Sequence, residues 1–138
     1  MSEAVTRNIR VSVETEYAPG RSNPAQSQWF FLYTIRLKNE GRETVQLMSR
    51  HWIITDAMGD VKEVRGPGVV GKQPVLEPGE TFEYTSGCEL TTPFGSMRGT
   101  YQMVTVSGMA DKEKTDREAH FDIQIPPFTL TEPYTTVH

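Results

Sequence analysis

Apolar and polar residues alternate along most of this chain. In "NIRVSVETEY", Ile9, Val11 and Val13 share one face, while Arg10, Ser12 and Glu14 take the other. The run "AQSQWFFLYTIRLKNEG" repeats the pattern with larger groups: Trp29, Phe31, Tyr33, Ile35 and Leu37 line one side. A period of two residues is the mark of half-buried β-strands. A third strand is predicted over about Val45 to Thr55, with Trp52 and Ile54 in the core. "DAMGD" (Asp56 to Asp60) makes a hairpin connection in which Gly59 takes positive φ. "VKEVR" is a short strand. "LEPGE" (Leu76 to Glu80) is a turn, with Pro78 presetting φ and Gly79 suited to the left-handed position.

"TFEYTSGCEL" follows as a strand with Phe82 and Tyr84 on one face, and "TTPFGS" turns the chain again. In the next strand, "MRGTYQMVTVS", the phase slips between Met103 and Val104, which predicts a bulge there. "HFDIQI" alternates through Phe121, Ile123 and Ile125, and Pro126 and Pro127 are expected to end it, since proline donates nothing to a ladder. The charged run Gly108 to Ala119 is expected to be a long hairpin loop, and "TLTEPYTTVH" a loosely attached tail. No window carries a 3.6-residue apolar period with helix caps. Seven or eight short strands separated by turns close most naturally as two antiparallel sheets packed face to face, with a small barrel as the competing closure.

A length of 138 residues fits a single domain over 1–138, with its core about 5–130 and a flexible end at 131–138. The 18 acidic and 14 basic residues give a net charge of -4. That balance lacks the basic excess of a nucleic-acid binder, so no nucleic-acid partner is expected. Cys88 is the only cysteine and forms no internal disulfide, which suits a reducing compartment. No signal-like segment and no apolar run of membrane-spanning length is visible, so the expectation is a cytoplasmic protein without membrane insertion.

The stretch "RGPGVVGKQP" puts Gly66, Gly68 and Gly71 at G-x-G-x-x-G spacing, the fingerprint of a dinucleotide-binding turn. That fingerprint works only where a helix follows and aims its amides at the pyrophosphate. Here Pro74, Pro78 and Gly79 stop any useful helix, and no G-K-[ST] supports a P-loop at Lys72. Two readings of the loop stand. In one, the glycines serve turn geometry alone. In the other, successive amides form an anion-binding nest flanked by Arg65 and Lys72.

Metal ligation and catalysis find less support. His51, His120 and His138 are far apart, without the short-spaced partners of a zinc site. His51 reads as a hydrogen-bonded or exposed strand histidine, and Asp56 and Asp60 as turn residues that could attract a divalent cation weakly. Cys88 has no neighbouring histidine and reads as a buried structural cysteine. The serines lack a G-x-S-x-G elbow, so no catalytic residue is assigned. The aromatics Trp29, Phe30, Trp52, Phe94, Tyr101, Phe128 and Tyr134 do not all fit one core. Phe30 falls opposite Trp29 and Phe31, so exposed aromatics beside rigid turns would make an interaction patch.

The chain resembles the ApaG family. The similarity is carried by "LMSRHWIITDAMGDVKEVRGPGVVGKQPVLEPGETFEYTSGCELTTPFGSMRGTYQM" (Leu47 to Met103) and continues in "FDIQIPPFTL" (Phe121 to Leu130). The resemblance implies an all-β, immunoglobulin/fibronectin type III-like antiparallel β-sandwich of seven to eight strands. It implies a bacterial cytoplasmic protein whose family is linked to cobalt resistance and magnesium homeostasis. Related domains in eukaryotic F-box proteins and in a polymerase delta-interacting protein imply a protein-interaction module. Family discussion of the glycine loop as a pyrophosphate motif would transfer to Gly66, Gly68 and Gly71. The segment Gly108 to Ala119 is longer and more charged than the family's usual hairpin.

The function expected from all of this is non-enzymatic binding of an as yet unidentified protein partner, with a homodimer through sheet edges as one form of it and no cofactor required. The alternatives are a phosphate or pyrophosphate site, with Mg2+, at Arg65, Gly66, Gly68, Gly71 and Lys72, and a divalent-cation sensor at His51, Asp56 or His120.

Overall fold

A computed structural model describes residues 2–106 and 119–133. The charged loop expected at 108–119, apart from Ala119, and the end of the chain at 134–138 lie outside the described residues. The strands are β1 (Ser2–Thr6), β2 (Ile9–Tyr17), β3 (Trp29–Asn39), β4 (Val45–Asp56), β5 (Val61–Pro67), β6 (Val75–Leu76), β7 (Thr81–Leu90), β8 (Phe94–Thr105) and β9 (His120–Thr131). Single 3-10 turns at Pro19–Arg21 and Pro24–Gln26 connect β2 to β3. One antiparallel sheet has the order β1-β2-β3-β7. The other runs β5-β4-β8-β9, with β6 paired to β4. The fold is therefore the all-β sandwich that the alternation predicts.

The inward faces carry the core. Ile9, Val11, Val13, Phe31, Ile35 and Leu37 come from the first sheet. Leu47, Trp52, Met97, Tyr101, Ile123 and Leu130 come from the second. Trp52 is the aromatic centre, with ring contacts to Tyr33 at 5.4 Å, Phe128 at 5.8 Å and Tyr101 at 6.4 Å. Such edge-on pairs add about 0.5–1.5 kcal/mol each beyond area burial.

The two sides of the sandwich differ. On one side β1, absent from the alternation because "SEAVT" has no large apolar series, reaches across to the second sheet. The turn Arg7-Asn8 adopts positive φ at both residues, the geometry of a tight hairpin. Thr6 Oγ1 then accepts a hydrogen bond from the Gln124 amide at 3.1 Å, and the Arg7 guanidinium lies 4.5 Å from the Phe121 ring centre. On the other side β5 and β7 are the sheet edges, and a cleft runs between them.

Three expectations need correction. The bulge predicted between Met103 and Val104 is not in β8, which pairs without interruption there. The extra residue is Met48 in β4, because Leu47 pairs with Met103 while Ser49 pairs with Gln102. Pro126 and Pro127 do not end β9. The strand shifts register between its pairs Phe128–Met97 and Ile125–Gly99 and continues to Thr131. β9 is an edge strand, so a missing proline N–H costs no ladder bond on its outer side. The segment from Thr129 to Glu132 is not loose either: Leu130 is fully buried, and the Trp29 indole N–H donates to Glu132.

Asn39, at the end of β3, is 1% exposed. Its amide nitrogen donates to the carbonyls of Glu43 (2.7 Å) and Leu76 (3.0 Å), and its oxygen accepts from the Gly41 N–H at 2.9 Å. Its backbone also bonds Glu80 and Gly79. One residue thus ties β3, β6 and two turns together. Asn39→Ala leaves a buried acceptor without its donor and should cost roughly 2–3 kcal/mol, read as a lower urea midpoint at unchanged slope.

Candidate functional site

The site is built on a change of phase in β4. Before Met48 the odd residues Val45 and Leu47 face inward, and after it the even residues Arg50, Trp52 and Ile54 do. The bulge therefore turns an arginine, and not His51, toward the opposite sheet. The Met48 carbonyl accepts from the Gly68 amide at 2.8 Å and from Gln73 Nε2 at 2.9 Å. That anchors the glycine segment to the bulge.

The glycines have separate tasks. Val69 and Lys72 exchange two backbone hydrogen bonds, at 2.8 and 2.9 Å, around a turn with φ 44 at Val70 and 79 at Gly71. Positive φ at both central positions marks a type I′ hairpin tip. Gly68 also lies at positive φ, and a Cβ there would stand 2.3 Å from the Lys72 carbonyl oxygen. Gly66 belongs to β5 and pairs with Arg50. A Cβ on Gly66 would lie 3.0 Å from Arg50 Nη2 and 3.1 Å from Cζ, so the guanidinium packs closely over the space this glycine leaves open. Arg50 Nη1 donates to the carbonyls of Pro67 and Gly68, each at 2.9 Å.

The five residues singled out by the motif are thus divided. Gly66 and Gly68 seat Arg50. Gly71 and Lys72 form the exposed hairpin tip. Arg65 points to the outer face of its sheet, 3.7 Å from Glu63, which also meets His51 Nε2 at 2.7 Å. The amides of Gly68, Val69 and Lys72 donate to carbonyls of the protein itself. Arg50 escaped the motif search, yet it occupies the core phase set by Trp52 and Ile54, and a cation in that phase was the available signal.

Arg50 faces the cleft between β4, β5 and β7, which has a volume of about 520 Å³. Tyr33, Trp52, Ile54, Lys62 and Cys88 are among its walls. A smaller hollow of about 320 Å³ lies toward Val69, Val70 and Gly71, and shares Tyr33, Arg50 and Ser86 with the first. Behind Arg50 the hydroxyls of Tyr84 and Tyr101 are hydrogen-bonded to each other, and Tyr33 bonds Ser86. Burial pushes all three tyrosines above their ordinary value, and the positive charge of Arg50 opposes the rise in each.

The other candidates stand apart from this cluster or in quieter roles. Asp56 Oδ1 accepts from the amides of Met58 (2.8 Å) and Asp60 (3.1 Å), a turn role. His120 is exposed at the start of β9. Among the described residues no group of three or more His, Cys, Asp or Glu side chains could hold a metal. No helix among them is long and apolar enough to cross a membrane. Trp52, Tyr101 and Phe128 are core residues. Phe30 fills the space above Gly87 beneath the Arg21 guanidinium, 4.0 Å from its ring centre. Phe94 remains 49% exposed. Tyr134 and His138 lie outside the described residues.

Fold and site together define a small two-sheet antiparallel β-sandwich whose glycine hairpin braces an interior arginine. The ApaG domain model matches residues 19–105. Protein ApaG of Rhodospirillum centenum is 53% identical over 134 residues, covering 97% of this chain and 95% of that one. Protein ApaG of Beijerinckia indica is 49% identical over 135 residues, covering 98% and 96%. A crystal structure of a protein designated ApaA from Bordetella pertussis superposes with a TM-score of 0.80 at 50% identity, over 92% of this chain and 95% of that chain. The chain belongs to the ApaG family.

Cys88 is buried in the cleft wall, and burial lifts its thiol from 9.0 to about 11, with Lys62 opposing and Glu89 assisting. The fold keeps the thiol protonated where the unfolded chain would ionise it. The stability it contributes is therefore complete below about pH 9 and is lost as the pH rises through about 11. Alkylation by iodoacetamide should be slow at pH 8 and accelerate only toward pH 11, in step with a falling urea midpoint.

Proposed function

We propose that this chain is a non-enzymatic protein-binding module acting in the cytoplasm, linked through its family to cobalt resistance and magnesium homeostasis. The observation that supports it is the apolar end of the sandwich beside the β4–β5 turn. Met58, Val61 and Phe94 are 79%, 62% and 49% exposed. The pairs Thr55–Val61 and Asp56–Gly95 bring their segments to the same end of the second sheet. Large apolar groups gathered at one end of a small domain mark interaction surfaces, whereas scattered ones do not. The absence of enzymatic activity is supported by the state of the one cysteine: the Cys88 thiol is buried and held protonated. A second copy joined along β7, a ten-residue strand without proline, is the homodimeric form of the same proposal.

The comparison that tests it is capture from native lysate by the natural chain and by Met58→Ser/Phe94→Ser, with both shown to be folded by circular dichroism. A partner retained by the first and lost by the second is the expected result. An identical set of proteins on both, or none on either, overturns it.

A second reading places phosphate or pyrophosphate, with Mg2+, at Arg65, Gly66, Gly68, Gly71 and Lys72. The exposed Lys72 at a positive-φ tip favours it. Since three loop amides are engaged, the anion would meet Val70, Gly71 and the Lys72 ammonium. Titration with pyrophosphate and Mg2+ should then move the amide resonances of Val70 to Lys72 saturably and fail in Lys72→Ala. Unmoved resonances leave the glycines to architecture.

A further inference from the structure

Arg50 is a half-buried guanidinium on the core face of β4, and no carboxylate among the described residues pairs with it. Its two recorded hydrogen bonds both leave from Nη1. The Nε and Nη2 hydrogens, which form the side-on fork that meets a carboxylate or phosphate with two parallel bonds, have no protein acceptor among the described residues. A guanidinium half withdrawn from water at a cleft gains from an anion placed on its open edge, since the two carbonyls occupy only one of its nitrogens. Its neighbours define the position. The Gly66 backbone holds one face of the group, and the carbonyls of Pro67 and Gly68 fix one end.

The space in front of this group has the size of a small-molecule site. A volume of about 520 Å³ falls within the range of roughly 300–1,000 Å³ usual for such clefts. Trp52, Ile54, Val64 and Met97 give apolar wall, and Tyr33 and Ser86 give polar groups beside Arg50. Lys62 adds a second positive charge. The acidic residues of the cleft do not oppose an anion at Arg50. Asp56 stands six residues farther along β4, about 20 Å away in an extended strand, and Asp60 lies beside it across the turn, its amide donating to Asp56 Oδ1. Glu89 is exposed, in the outward phase between the inward Cys88 and Leu90.

We propose that the cleft between the two sheets binds a small organic anion, with its carboxylate or phosphate on the Nε/Nη2 edge of Arg50 and its aromatic or apolar body along Trp52 and Ile54. In this site the glycine segment acts through Gly66 and Gly68, by seating the arginine, and the hairpin tip is not the anchor. The proposal stands independently of the protein-binding function and differs from the loop-tip reading in which residues it needs.

The test is a nuclear magnetic resonance titration of the full chain with phenyl phosphate, benzoate and inorganic phosphate. It follows the Arg50 Nε–H together with the amides of Lys62, Gly66 and Ser86 to Cys88. Phenyl phosphate or benzoate should shift this set saturably, and inorganic phosphate, lacking the body, should bind about tenfold more weakly. Arg50→Gln should weaken binding at least about tenfold, the loss of a charge-assisted pair. Gly66→Ala keeps the arginine but displaces it, and should weaken binding as well. Arg65→Ala/Lys72→Ala should bind within about twofold of the natural chain. The Arg50 Nε–H shift in the natural chain reports the contact even if a variant unfolds. Three results would overturn the proposal: no saturable shift at tens of millimolar probe, unchanged binding in folded Arg50→Gln, or shifts centred on Val70 to Lys72 that vanish in Arg65→Ala/Lys72→Ala.

Discussion

The extra residue at Met48 is the constraint on which the open side of this sandwich depends. A strand has a period of two, so one inserted residue exchanges its faces from that point onward. Here the exchange sends Arg50, Trp52 and Ile54 inward and His51 and Ile53 outward. It also frees the Met48 carbonyl, which then holds Gly68 and Gln73. The aromatic centre around Trp52 and the placement of the glycine hairpin therefore have one cause.

The sandwich is sealed on one side and parted on the other. β1 and the Arg7-Asn8 turn close the gap between β2 and β9, where Thr6 and Arg7 contact Gln124 and Phe121. Across the molecule no equivalent strap joins β5 to β7 among the described residues, and the space between them is lined by Arg50, Lys62, Cys88 and Tyr33. The sealed side ties the two sheets together, and the parted side leaves Arg50 and its neighbours on strands, where side chains are positioned more firmly than on loops.

The glycine motif illustrates how spacing misleads when its context changes. In a dinucleotide-binding turn the three glycines serve one ligand ahead of a helix. Here the same spacing falls across a strand end and a hairpin tip, so each glycine answers a different steric demand. Gly66 clears room for a guanidinium, Gly68 for a carbonyl, and Gly71 supplies the second positive φ of the turn. Sharing a motif does not make them one site.

Much of the fold was legible in the sequence because alternation is a local property. Ile9, Val11 and Val13, then Phe31 to Leu37, declare their inward face within a few residues, and Gly59 and Gly79 mark their turns by the φ each requires. β1 was hidden because its stability comes from pairing with β2 and from contact with β9, and its turn uses Arg7-Asn8 in place of glycine. The run through Pro126 and Pro127 was hidden because only the sheet order reveals that β9 is an edge. The bulge left a trace in the phase difference between Leu47 and Trp52, but which strand absorbs the extra residue is settled by pairing. So the sequence by itself determined the class of fold, the core faces and the turns. The tertiary structure alone decided that Arg50 faces a cleft and that the glycines serve it, because cross-strand register is set by partners far away in the chain.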